Sequence, residues 1–278
     1  MLMRKITPLT VLLACLICLA FYPATGHAVN LGGAYKSKPG YALKLYSLYY
    51  DADIRTDKDG HPAVKDLGLK KQGVSLGNAY QLGDLQLNAI IPVSKIEVGK
   101  LHDSDAGLGD ILLSAGWFLP VQWANVLPTV AVKLPTGSYH KNHPVNNGDG
   151  QTDLVMGVYL FKLIQPFSFD ALVKYNVRFR NPDSGFTPGN EFSAEGLVTL
   201  RLLEGVRIGP ALNFTVGADN KKGGNALADS GLMRLSAGGE VYYARLKNVK
   251  ISLAAYQDVL TRNTFEGVLV FTRMIFAF

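Results

Sequence analysis

After Tyr22 the 278-residue chain has no apolar run of the roughly 18–20 residues that a membrane-spanning helix needs. No amphipathic helical stretch of useful length and no solenoid-type repeat takes its place. Cysteine is nearly absent. Cys15 and Cys18 both lie in the leader, so the rest of the chain has no disulfide, thiol nucleophile or thiolate metal site. Charge is sparse at 18%, and the formal +6 is not gathered into a basic block, which argues against a nucleic-acid partner. With 48% hydrophobic residues the chain is not disordered. These absences leave a β protein, with membrane residence still open provided it is not helical.

The N-terminus supplies the first positive signal. Arg4 and Lys5 precede the apolar run Val11–Tyr22, Pro23 breaks it, and Gly26-His27-Ala28 offers small residues for cleavage. This predicts a secretory signal peptide over 1–28, with 29–40 as a periplasmic N-terminal segment. Its loss removes Arg4 and Lys5 and lowers the net charge from +6 to +4. A competing lipoprotein box at Leu12-Leu13-Ala14-Cys15 would strand apolar Leu16–Tyr22 beyond the anchor.

From Tyr41 onward the pattern has period two. Phe167, Phe169, Ala171, Val173, Tyr175, Val177 and Phe179 share one face, and Ser168, Asp170, Lys174, Asn176, Arg178 and Arg180 dominate the other. Successive side chains of a strand point to opposite faces, so this is a strand signature. Twelve such segments are expected, at about 41–50, 73–82, 85–93, 108–119, 126–135, 152–161, 167–180, 191–202, 206–217, 232–244, 249–259 and 265–278. Their connections alternate between short turns and longer polar loops. That alternation predicts an all-β fold: a transmembrane antiparallel up-and-down β-barrel of about 12 strands over 41–278, with both termini periplasmic.

A soluble barrel or sandwich would show the same alternation. Here, however, charges of both signs sit mid-strand on the polar faces while the apolar faces are nearly free of charge. Aromatics also sit at both ends of the apolar faces. Phe169 to Phe179 at ~3.3 Å per residue and ~40° tilt spans roughly 25 Å, the height of a lipid-facing band. Tyr41, Tyr49, Trp117, Trp123, Phe192, Tyr243 and Phe276 are further girdle candidates. Phe278 and Phe276 end an alternating strand and read as an assembly signal for the barrel-assembly machinery. Pro210, mid-strand and unable to donate to a ladder, suggests a bulge beside Gly209.

The phrases Gly107-Leu108-Gly109-Asp110-Ile111 and Lys133-Leu134-Pro135-Thr136-Gly137 resemble the outer-membrane family named after the meta-pathway of phenol degradation, itself similar to a sphingosine-responsive barrel. The resemblance implies uptake of aromatic or other hydrophobic compounds across the outer membrane of a Gram-negative bacterium and does not establish an enzyme; no enzyme activity and no cofactor are expected. Both phrases also have a structural reading, as glycines at strand entry and a Pro-Thr-Gly break at strand exit.

Chemistry is hard to find elsewhere. His61, His102, His140 and His143 all fall in long loops, and no Gly-x-Ser-x-Gly elbow or phosphate-cradling loop exists. An outer-membrane phospholipase is therefore the weaker alternative. Asn146–Gly150 with Asp153 faintly suggests a calcium loop, which turn chemistry explains equally. An autotransporter would need a passenger between leader and barrel, and only 29–40 lies there.

A channel or facilitator for a small hydrophobic or aromatic solute remains, with lipid as the other partner and a general anion-preferring porin as the alternative. The candidate lumen lining is Lys44, Asp110, Lys133, Asp170, Lys174, Asn176, Arg178, Glu195, Arg201, Arg207, Arg234, Glu240, Lys250 and Arg273. Nine of these are basic and four acidic, which favours anions if the lumen is open. Opposed pairs could equally fill a narrow barrel. Tyr46, Tyr159, Tyr242 and Tyr256 could stack an aromatic solute or pack against Arg.

Overall fold

The computed structural model describes residues 39–278; the expected signal peptide over 1–28 and nearly all of the expected 29–40 segment lie outside them. Twelve strands form the barrel: β1 Gly40–Thr56, β2 Leu69–Leu82, β3 Leu85–Val98, β4 Ile111–Trp117, β5 Asn125–Leu134 and β6 Asp153–Ile164, then β7 Phe167–Arg178, β8 Glu191–Leu203, β9 Val206–Gly217, β10 Met233–Leu246, β11 Val249–Arg262 and β12 Phe265–Ala277. Each pairs antiparallel with its sequence neighbour. β12 returns to β1, from Ala42 opposite Ala277 to Arg55 opposite Phe265, and closes the sheet. Closure pairs every strand on both edges, the condition for crossing a membrane with strands.

The short turns cluster at one end, where Gly83, Gly205 and Asn248 take the positive φ that tight turns require (61°, 69° and 60°). The long connections lie at the other end, which in outer-membrane barrels is the extracellular one. Outward side chains are apolar and exposed, which only lipid makes favourable over so large a belt. Tyr41, Tyr80, Trp117, Trp123, Phe169 and Tyr243 ring the turn end; Tyr49, Tyr175, Phe179 and Phe192 ring the loop end. Phe278 stacks on Tyr41 with centroids 6.0 Å apart, and its N–H donates to the Tyr41 carbonyl at 2.9 Å.

The inward faces alternate as expected, yet part of their content is apolar. Tyr46, Leu48, Leu197, Ala211, Ala254, Tyr256, Leu269 and Phe271 meet in one buried cluster inside the barrel, with Tyr50 and Tyr242 packed against it. A second cluster, Phe118 and Leu127 with Tyr159 and Phe161, fills the turn end. The four lumen tyrosines therefore pack mainly in apolar company; Tyr46 lies against Phe271 with centroids 5.9 Å apart.

Three expectations need correction. Residues 51–72 and 94–107 are not simple loops: β1, β2 and β3 continue through much of them, Pro62–Val64 pairs β1, and Asp103–Leu108 pairs β3. Pro210 makes no bulge. It keeps register with Gly239 of β10, and toward β8 the ladder lapses between Leu197–Ala211 and Leu200–Ile208 without a shift. Gly209 permits this, since a Cβ there would sit 1.8 Å from the Val198 carbonyl oxygen. Asp110 is not a mid-strand residue: it occupies the break between Asp103–Leu108 and β4.

Candidate functional site

The loop over 135–152 folds into the extracellular mouth, and the two phrases singled out in the sequence build its seat. Gly109 donates its N–H to the Pro92 carbonyl at 2.9 Å, and the register against β3 shifts by one residue between Leu108 and Leu112, where Asp110 lies. Asp110 Oδ1 then accepts from Gly137 N and Oδ2 from Asp149 N, both at 2.9 Å. Thr136 Oγ1 accepts from Ile111 N at 2.9 Å, and Asp105 Oδ2 accepts from Asn147 N at 2.7 Å. Gly137 and Gly148 pass so closely that a Cβ on Gly148 would sit 2.6 Å from the Gly137 carbonyl carbon. Any larger residue would unseat the loop.

Charge locks the same loop. Asp149 lies between Lys133 and Arg178, 2.8 Å from Arg178 Nη2. Asp153 lies 2.5 Å from Lys133 Nζ, and Glu191 2.8 Å from Arg178 Nη1. Loss of hydration raises the Asp149 carboxyl, but Lys133 and Arg178 outweigh it and hold the group below its ordinary value. Asp110 goes the other way: burial raises its carboxyl against the pull of its two N–H donors. The acidic residues that hinted at a calcium loop are thus engaged by basic side chains.

So seated, the loop presents Pro144, Val145 and Asn146 to the lumen. Val145 packs with Ala52, Leu67, Leu69 and Val98. Beneath lies a cavity of about 360 Å³, walled chiefly by Leu48, Leu69, Ile96, Val98, Phe265 and Leu269. Polar groups enter it from Lys71, Arg234, Ser236, Tyr50 and Asp258. Asp258 is held by Ser236 Oγ at 2.6 Å, Tyr50 Oη at 2.8 Å and Gly267 N at 3.0 Å. A mostly apolar pocket with a few fixed polar groups is how small-molecule sites are built, and a volume of about 300 Å³ or more suits such a ligand.

The residues expected to line the lumen separate into groups. Lys133 and Arg178 belong to the loop lock. Lys174 pairs with Glu195 at 2.6 Å, and Arg273 with Glu240 at 3.0 Å, the latter pair fully buried. Lys44 reaches Asn88 at 3.4 Å. Asp170 is buried on β7, and Asn176 and Lys250 are half-buried on inward faces. Arg201 and Arg207 face each other across β8 and β9 at the turn end, far along their strands from the mouth. Arg234 alone of the set reaches the cavity wall. Lys71, Tyr50 and Asp258 were missed: Lys71 fell within an expected loop, and nothing local distinguishes the other two.

The family model described as "Putative MetA-pathway of phenol degradation" matches residues 77–274, which include both phrases. The chain belongs to this family. Within the family match, Gly109, Asp110, Thr136 and Gly137 are the residues that seat the mouth loop. Among solved structures, the barrel is similar to an outer membrane channel from Pseudomonas putida F1, at 16% identity and TM-score 0.77 over 88% of this chain and 98% of that one. The β domain of the Bordetella autotransporter BrkA follows at 10% identity and TM-score 0.56, covering 87% of this chain and 100% of that one. The NanC porin matches at 8% identity and TM-score 0.50, over 85% and 99%. These likenesses concern the fold, that of outer-membrane β-barrels. No curated protein matches the sequence.

Proposed function

We propose that this barrel admits small hydrophobic, chiefly aromatic, compounds across the outer membrane, holding them first in the mouth cavity. The observation that carries the reading is that cavity: about 360 Å³, apolar-walled and placed at the extracellular mouth under the seated loop. The kinship with a channel fold and the family's name point the same way. A general porin needs a water-filled lumen. Here the apolar cluster around Tyr46, Leu197, Tyr256 and Phe271 occupies part of the interior below the cavity and narrows the water-filled space. That packing favours a selective facilitator over a wide pore. The chain's chemistry is binding and passage, not catalysis, and the leader over 1–28 delivers it to the membrane.

Planar-bilayer recording and growth test this together. The expected result is a small steady current that phenolic compounds reduce, and slowed growth on dilute aromatic carbon when the gene is deleted. A large current indifferent to phenolic compounds overturns the selective reading in favour of the porin. No current, with growth unaffected by deletion, overturns both.

A further inference from the structure

The mouth loop carries a different chemistry at its tip. His140, Asn142 and His143, with Ser104 and Asp105 of the strand Asp103–Leu108, line a separate cleft of about 600 Å³. The turn that bears the histidines is held in place. His143 N donates to the His140 carbonyl at 2.9 Å, and the Asn146 side chain accepts from His140 N at 2.6 Å and donates to the His143 carbonyl at 2.8 Å. The two imidazoles come together with ring centroids 5.8 Å apart. Metal–nitrogen bonds of about 2.0–2.1 Å put the ring centres of two imidazoles on one tetrahedral ion roughly 5 Å apart.

A carboxylate faces this pair. His143 Nδ1 lies 3.8 Å from Asp103 Oδ1, too far for a hydrogen bond. It is close to the roughly 3.3 Å between neighbouring ligand atoms of such an ion. Asp103 Oδ1 accepts from Ser104 N at 2.9 Å, whereas Oδ2 is buried with no hydrogen-bond partner. A carboxylate oxygen left in that condition is costly, and a cation relieves the cost. Asp105, two residues along on the same face, accepts from Asn147 N at 2.7 Å and Ser138 Oγ at 3.2 Å, which fixes the loop beside Asp103. Lys141, the one cation on the turn, is exposed and extends into water.

We propose that His140, His143 and Asp103 bind a divalent transition-metal ion of the zinc class, which pins the tip of the mouth loop to the barrel wall. Imidazole nitrogens select such ions over calcium and magnesium, which take oxygen ligands. Val145, two residues past His143, packs on the wall of the apolar cavity, so an ion at the tip holds the loop closed over it. The site stands whether or not that cavity holds the solute.

Titration calorimetry with Zn²⁺ on the untagged, metal-stripped full-length protein in detergent tests this. A single ion is expected to bind at micromolar concentration or tighter, with no heat from Mg²⁺. His140→Ala, His143→Ala and Asp103→Asn should each weaken it by about tenfold or more. Asp57, Asp59 and His61 also bring ligand atoms within 4.8 Å of one another, in a different exposed turn. His61→Ala is therefore the control, expected to leave the affinity unchanged. Hydrogen exchange over 140–147 should slow when Zn²⁺ is added, and heat-modifiable migration verifies that each variant is folded. No Zn²⁺ binding by the native protein overturns the proposal without any variant. Binding that survives in His140→Ala and His143→Ala but is lost in His61→Ala overturns it too, as does binding that leaves exchange in the loop unchanged.

Discussion

The two ends of this barrel are made from the same strands and solve different problems. At the turn end, two-residue connections such as Gly83-Asp84 and Glu204-Gly205 join strands adjacent in sequence, and the closing contact of Phe278 with Tyr41 joins the first strand to the last. The enclosed space holds an apolar cluster, and Arg201 and Arg207 lie at its rim. At the mouth, a loop of some eighteen residues crosses the opening and is held by groups from β3, β5, β6, β7, β8 and the Asp110 break. The turn end thus depends on local turn chemistry, and the mouth on a tertiary lock. The lesson is that closing a barrel is cheap in sequence information, whereas building a cavity at its mouth is not.

That contrast can be broken at its strongest point. A methyl at Gly148 meets backbone at 2.6 Å, with no flexible side chain to yield. Gly148→Ala should therefore unseat the loop, at a cost of about 1–3 kcal/mol. Bilayer current should rise severalfold and the loop should become protease-sensitive, while the β strands stay intact by circular dichroism. An unchanged current would mean that the loop does not govern the mouth.

Acid should act on the mouth alone, and in two stages. Asp110 has a folded pKa above its ordinary 3.8, so its ionised form is disfavoured by folding and the seat firms slightly as pH falls toward 3.8. Asp149 has a folded pKa below 3.8, so its stabilisation is present above 3.8 and is lost as pH falls through the lower value. Loop protection in hydrogen exchange should therefore be greatest near pH 4 and decline below it, modestly because the Asp149 side chain is 43% exposed. The turn end should show no such maximum; an equal response there would remove the distinction.

The smallest effect is expected at the turn end. Arg201 is exposed, and Arg207 touches the Pro166 carbonyl at a long 3.3 Å. Arg201→Ala should change stability by less than about 0.5 kcal/mol in urea unfolding and leave ion selectivity as it was. A marked selectivity shift would show that the turn end, and not the mouth, filters solutes.

Much of this molecule could be read before folding. Period-two alternation marked all twelve strands and separated their two faces, because side-chain direction in a strand depends only on position along it; charges on one face and aromatics on the other then told lumen from lipid. The aromatic belts and the division between turns and loops were legible for the same reason: lipid depth and turn geometry act on each segment separately. Contacts between inward side chains of strands that are not neighbours were not. Tyr50 finds Asp258 across 208 positions, and Arg273 finds Glu240 from another strand. Alternation says that each points inward but not whom it meets, because that depends on barrel register and diameter. Asp110 followed the strand pattern on paper, and only the passage of Gly137 beside Gly148 shows it to be the anchor of a loop. The barrel is thus a property of local period. The cavity at its mouth, and the two cations in its wall, exist only once closure has brought distant strands face to face.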